Sequence, residues 1–136
     1  MKMTLSNPDG VAAPFAAAYA NVARLDTADG ALLTLAGQVA IDDEGAVVAP
    51  GQVEPQAERI FEIIGGLLAA HGASFADVMH VRTFLTSLDD LPGYRVVRRK
   101  VFPTSPPAST TVVVSGLVLP GTVIEVEVTA AAPTRP

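Results

Sequence analysis

Cysteine is absent from the 136 residues. That single absence removes disulfides, thiolate metal sites and thiol nucleophiles together. Histidine is scarce: His71 and His80 are the only two, and they stand alone in sequence, which argues against a zinc or iron site. Positive charge is short as well. Nine Lys and Arg face 14 Asp and Glu, a formal balance of −5, whereas a general nucleic-acid surface needs clustered cations. The one basic cluster, Arg95, Arg98, Arg99 and Lys100, is brief and has few aromatics beside it. No apolar run approaches the roughly 20 residues of a membrane span. The opening stretch "MKMTLSNPDG" lacks the apolar region of a signal peptide. The expectation is a soluble, cytoplasmic protein with no membrane or nucleic-acid partner and no metal.

What is present is apolar bulk. Hydrophobic residues make up 49% of the chain, enough at this length for a single domain, residues 1–136, around a real core. The strongest pattern runs from Glu54 to His71. There Ile60, Ile63, Ile64, Leu67, Leu68 and His71 form one helical stripe, with Pro55 in the first turn and Gly72 just past the end. Gly65 and Gly66 weaken this helix locally and suggest close approach by a sheet. "DDLPGYRVVRRKVF" reads as a second helix, its cations in the later turns where the helix dipole favours them.

Strands are expected in "YANVARLDTADG", "ALLTLAGQVAID" (31–42), "DVMHVRTFLTSL" (77–88), "STTVVVSGLVL" and "GTVIEVEVTAAA". The last two are read as a pair joined near Pro120-Gly121. This order implies an α+β fold, a mostly antiparallel sheet with two helices on one face. The strands are apolar on both alternations, so the uncovered face points to association between copies.

Candidate chemistry is sparse. Glu125 and Glu127 share one strand face, roughly 7 Å apart by strand rise, which suits either a pair of acid–base carboxylates or a solvated edge strand. His80, Arg82 and Phe84 also share a face; Arg82 is a candidate carboxylate grip or a partner for an acid. His71 reads as a packed or capping histidine. Gly37, in "AGQ", marks either a bulge or a close approach of ligand to backbone. The hydroxyls of "PPASTTVVV", Ser109, Thr110 and Thr111, are either strand filler or pocket lining. No serine elbow, phosphate loop or dinucleotide fingerprint is present.

Together, "AGQVAIDDEGAVV", "QAERIFEIIGGLLAAHGASFADVMHVRTFLTSLDDL", "PPASTTVVV" and "IEVEVTA" resemble the RidA/YjgF family, also called the L-PSP endoribonuclease-like family. They cover most of residues 31 to 131 in the right order. The resemblance implies a chorismate-mutase-like α+β fold, assembled as a homotrimer around a central barrel, with small-molecule clefts between subunits and no cofactor. The activity it implies is hydrolysis of imines and enamines to carbonyl compounds and ammonia. Carried over by position, the catalytic glutamate is Glu125, the strand glycine is Gly37 and the cleft tyrosine is Tyr19. The position two beyond the family's substrate-clamping arginine is Thr111.

The arginine position itself is occupied by Ser109. A guanidinium gives a carboxylate two parallel N–H bonds that a hydroxyl cannot reproduce. Each charge-assisted bond contributes about 1.5–3 kcal/mol, so loss of the bidentate pair removes about two or more powers of ten in affinity for a 2-imino acid. The reading is therefore a RidA-like enzyme acting on an imine, enamine or related C=N or C=O compound without the carboxylate clamp. Glu125 would act on water, while Tyr19, Gly37, Ser109 and Thr111 hold the substrate and Arg82 is a further candidate. The alternative is a ligand-sensing or partner-binding trimer without catalysis. Ribonuclease activity, suggested only by the family's other name, is weakest in a chain of this charge.

Overall fold

The short linker Ala28-Asp29 turns the chain so sharply that its flanking strands must pair, as a two-residue hairpin does. The computed structural model describes residues 1–134, and in it β2 (Val22–Thr27) and β3 (Gly30–Leu35) form that hairpin, with Thr27 opposite Gly30. A strand not expected from the sequence, β1 (Lys2–Ser6), adds to β2 antiparallel. Its alternation of Met3 and Leu5 with Lys2 and Thr4 is only a few residues long, too short to stand out. The long strand β6 (Ile124–Pro133) pairs antiparallel with β3 on one side and with β4 (Val78–Leu85) on the other. β5 (Ala108–Val113) lies outermost, and the sheet order is β1-β2-β3-β6-β4-β5.

The expected pairing of the last two strands is corrected here: β4 separates β5 from β6, and β5 runs parallel to β4. A parallel neighbour needs a crossover, which α2 (Leu91–Val101) supplies. Gly116 and Pro120 lie beyond the end of β5, where the chain leaves the sheet and passes the end of β4. There Val114 N donates to Leu85 O at 2.8 Å and Thr86 N donates to Val123 O at 3.1 Å. The other pairings are antiparallel, so the α+β class holds.

Helix α1 spans Val53–Ala69, and the predicted stripe Ile60, Ile63, Ile64, Leu67 and Leu68 is buried. It packs with Leu33, Val81, Leu85, Ile124, Val126 and Val128 in one core; each such aliphatic side chain contributes about 1.5–3 kcal/mol on burial. Gly72 closes the helix with φ +72°, a conformation that disfavours other residues. Gly65 does not admit the sheet: a Cβ there would meet the Phe75 ring at 3.2 Å, while Gly66 faces open space. Phe75 belongs to an aromatic cluster with Phe61 and Phe102 that locks the two helices over one face of the sheet. On that face Thr83 Oγ1 and Tyr94 Oη lie 2.6 Å apart in the core. Among the described residues no helix is long and apolar enough to cross a membrane.

Candidate functional site

Because side chains alternate across a strand, the register divides the candidates between two faces. Glu125 lies opposite Phe84, Glu127 opposite Arg82 and Thr129 opposite His80, all on the face away from the helices. Thr110 and Val112 of β5 lie opposite Arg82 and Phe84 on the same face. β6 is an inner strand, so its carboxylates do not belong to a solvated edge. Ser109 and Thr111 pair with Val81 and Thr83, whose side chains belong to the helix-covered core face. One chain thus brings Glu125, Glu127, Arg82, His80 and Thr110 together and places Ser109 and Thr111 on the other side of the sheet. Tyr19 stands half-exposed in the segment that leads into β2.

Gly37 meets Glu125 directly. Beyond β3 the chain stays beside β6 through Gln38 and Val126, which exchange backbone hydrogen bonds of 2.8 and 3.0 Å. A Cβ on Gly37 would lie 2.5 Å from Glu125 Oε1, so only the bare α-carbon leaves room for the carboxyl. Behind it, the buried Gln38 donates from Nε2 to Ala36 O at 2.9 Å and to Asn21 Oδ1 at 3.3 Å. Ala36 N in turn donates to Asn21 O at 2.9 Å. Asn21 Nδ2 is buried beside this turn and has no hydrogen-bond partner among the described residues. Sequence reasoning missed the Gln38–Asn21 support; its one signal was a pair of amides near a strand glycine.

The electrostatics distinguish the two carboxylates. Arg82 Nε donates to Glu127 Oε1 at 2.6 Å, and both side chains are partly exposed. Arg82 Nη1 donates to His80 Nδ1 at 3.2 Å, which leaves His80 Nε2 as the donor toward Thr110 Oγ1 at 3.1 Å. Arg82 therefore finds its acid within the chain. Burial pushes the Glu125 carboxyl above the usual carboxylate range, and the nearby Glu127 charge adds to the rise. A carboxyl so placed holds a proton closer to neutral pH than an exposed one, as proton-transfer chemistry requires.

A second polar cluster lies on the helix side. Ser6 Oγ is 3.1 Å from His71 Nε2, and Arg24 Nη1 is 3.5 Å from His71 Nδ1. A guanidinium only donates, so Nδ1 accepts and Nε2 carries the proton toward Ser6. That is the reverse of what a serine-activating base must do. Burial and then the Arg24 charge push the His71 pKa down. A cavity of about 430 Å³ borders this cluster, and another of about 470 Å³ lies near Met79 and Ala131. Neither is lined by Glu125, Gly37, Tyr19, Ser109 or Thr111.

A family model described as Endoribonuclease L-PSP matches residues 11–132. Protein DfrA of Myxococcus xanthus is 35% identical over 99 residues, which cover 73% of this chain and 74% of that protein. The 3-aminoacrylate deaminase RutC of Acinetobacter baylyi is 30% identical over 119 residues, covering 88% of this chain and 90% of its own. Among solved structures, that of yeast YEO7 is similar with a TM-score of 0.85 at 28% identity, over 96% of this chain and 98% of the other.

Proposed function

This chain belongs to the Endoribonuclease L-PSP family, the group that includes the RidA/YjgF proteins, and from that premise we propose that it hydrolyses a small imine or enamine to a carbonyl compound and ammonia. The observation that carries this reading is the Glu125 carboxyl, raised in pKa and seated against Gly37. In the proposed reaction Glu125 takes a proton from water as the oxygen attacks the C=N carbon. It returns that proton to nitrogen to give the carbinolamine; a second proton then passes from the carbinolamine hydroxyl through Glu125 to nitrogen as the C–N bond breaks, the C=O bond forms and ammonia leaves. An enamine reaches the same intermediate after protonation at carbon. The relative named a 3-aminoacrylate deaminase supports the reaction class.

The substrate preference follows from charge. Ser109 stands where the family's clamp arginine is expected, and two of the Arg82 nitrogens are engaged by Glu127 and His80. A neutral imine, amide-like or carbonyl compound suits this face better than an anion, because Glu125 and Glu127 repel a carboxylate. The same repulsion, with the −5 balance, opposes RNA. The cleft is read as completed by neighbouring copies in a homotrimer. Met3, Leu5, Leu32 and Val112 are exposed large hydrophobics on the carboxylate face, a pattern that favours burial by association.

The test is ammonia release from imines generated in situ by an amino-acid oxidase and by an amine oxidase, the second set lacking a carboxylate. Acceleration of the amine-derived set, lost in Glu125→Gln, is expected. No acceleration of either set favours the second reading, a ligand-binding trimer without catalysis. The position of Ser109 and Thr111 on the face opposite Glu125 within one chain is the observation on its side.

A further inference from the structure

The two carboxylates of β6 lean toward opposite neighbours. Glu127 reaches β4, where its Oε1 accepts the Arg82 Nε–H at 2.6 Å. Glu125 reaches the other way, its Oε1 against the α-carbon of Gly37 in the segment that bridges to β6. Arg82 is itself held: Nη1 donates to His80 Nδ1 at 3.2 Å, and His80 is tied to Thr110 on β5 at 3.1 Å. Contacts therefore run from the outermost strand across β4 to Glu127 and stop one residue pair short of Glu125. The ionisable groups on this face of β4, β5 and β6 are His80, Arg82, Glu125 and Glu127, and the segment around Gly37 adds none.

We propose that Arg82 is a positioning residue for Glu125: by holding the Glu127 carboxylate against β4, it leaves Glu125 as the one carboxyl that faces Gly37 and exchanges a proton there. The inference rests on the reading of Glu125 as the proton-transfer group, and it removes Arg82 from the role of substrate clamp. The reason is electrostatic. Two carboxylates on adjacent same-face positions of one strand repel, and a guanidinium bonded to one offsets part of its charge as felt by the other. The Arg82 guanidinium also fixes where the Glu127 oxygens lie, through a charge-assisted bond of defined direction.

The test is a pH titration of carbon-13-labelled glutamate side chains by NMR on the full chain, without substrate. In Arg82→Met the Glu125 midpoint rises above that of the parent protein, because the Glu127 charge is no longer offset. In Glu127→Gln it falls. In Arg82→Lys, which keeps the charge, it stays near the parent value. A Glu125 midpoint unmoved by Arg82→Met in a folded protein overturns the proposal. Should Arg82→Met fail to fold, Arg82→Gln is compared with Arg82→Lys, and equal midpoints in those two overturn it. Because no substrate enters the titration, a failed turnover assay leaves the coupling of Arg82 and Glu127 to Glu125 standing and removes only its use in catalysis. An unmoved midpoint likewise leaves the hydrolytic role of Glu125 standing.

Discussion

Glu125 and Gly37 are in contact where β6 meets the segment after β3: a methyl on Gly37 would lie 2.5 Å from Glu125 Oε1 and 3.0 Å from its Cδ. The glycine serves space and not backbone freedom, since Gly37 is not among the residues of positive φ. Gly37→Ala is expected to change stability by less than about 1 kcal/mol, because the displaced group is the far end of a flexible side chain. Turnover should fall by about tenfold or more, since small displacements of a reacting group are costly. Denaturant midpoints and ammonia release measured on one preparation check both halves; full activity in the folded variant would show the contact to be incidental.

The raised pKa of Glu125 also predicts a pH-dependent cost. Its folded value lies above the ordinary 4.5, so the fold binds this proton more tightly than the unfolded chain does. The favourable contribution is complete below the unfolded value and is lost as pH rises through the folded value. At pH 8 the native protein therefore carries a penalty that glutamine does not. Glu125→Gln should unfold at higher urea than the parent at pH 8, with the gap closing toward pH 4. A gap that is constant across this range would contradict the assignment.

Gln56 is fully buried and staples the start of β6 to α1. Its Nε2 reaches the carbonyls of Val48, Ala49 and Gly121 at 3.1, 3.1 and 2.9 Å, and its Oε1 accepts from Val123 N at 2.9 Å. Gln56→Leu leaves the Val48 carbonyl and the Val123 N–H without these bonds, while Ala49 O keeps the Gln52 N–H and Gly121 O keeps the Gly51 N–H, and should cost about 3 kcal/mol. Val123 is two residues before Glu125, so activity should fall further than the folded fraction does. Chemical denaturation alongside specific activity separates the two effects.

Tyr94 and Thr83 offer a cleaner core test. Their hydroxyl oxygens are 2.6 Å apart with both side chains buried. Tyr94→Phe leaves the Thr83 hydroxyl alone and should cost about 1–2 kcal/mol. Thr83→Val combined with Tyr94→Phe should recover part of that loss, because neither polar group then remains unpaired. A double-mutant cycle on unfolding free energies shows whether the pair couples.

Much of this was legible in the chain because it depends on local spacing. The α1 stripe follows from a 3.6-residue period, and the shared face of Glu125 and Glu127 follows from the alternation of any strand. The shared face of His80 and Arg82 is legible for the same reason. β1 was not legible, since a handful of alternating residues gives too weak a signal. The role of Gln56 was not legible either, since its partners lie on two segments far apart in the chain.

By itself the sequence determined the types of the elements other than β1, the α+β class and the family, because periodicity and short ordered motifs survive without coordinates. Only the tertiary structure decided which strand lies beside which. It put β4 between β5 and β6, and so placed Thr110, not Ser109 or Thr111, on the face of Glu125. The same arrangement decided between the two readings of Arg82, making it the partner of Glu127 within the chain. The physical reason is that strand order and register come from long-range packing and a helical crossover, while a side chain's charge acts through whichever neighbours that packing supplies.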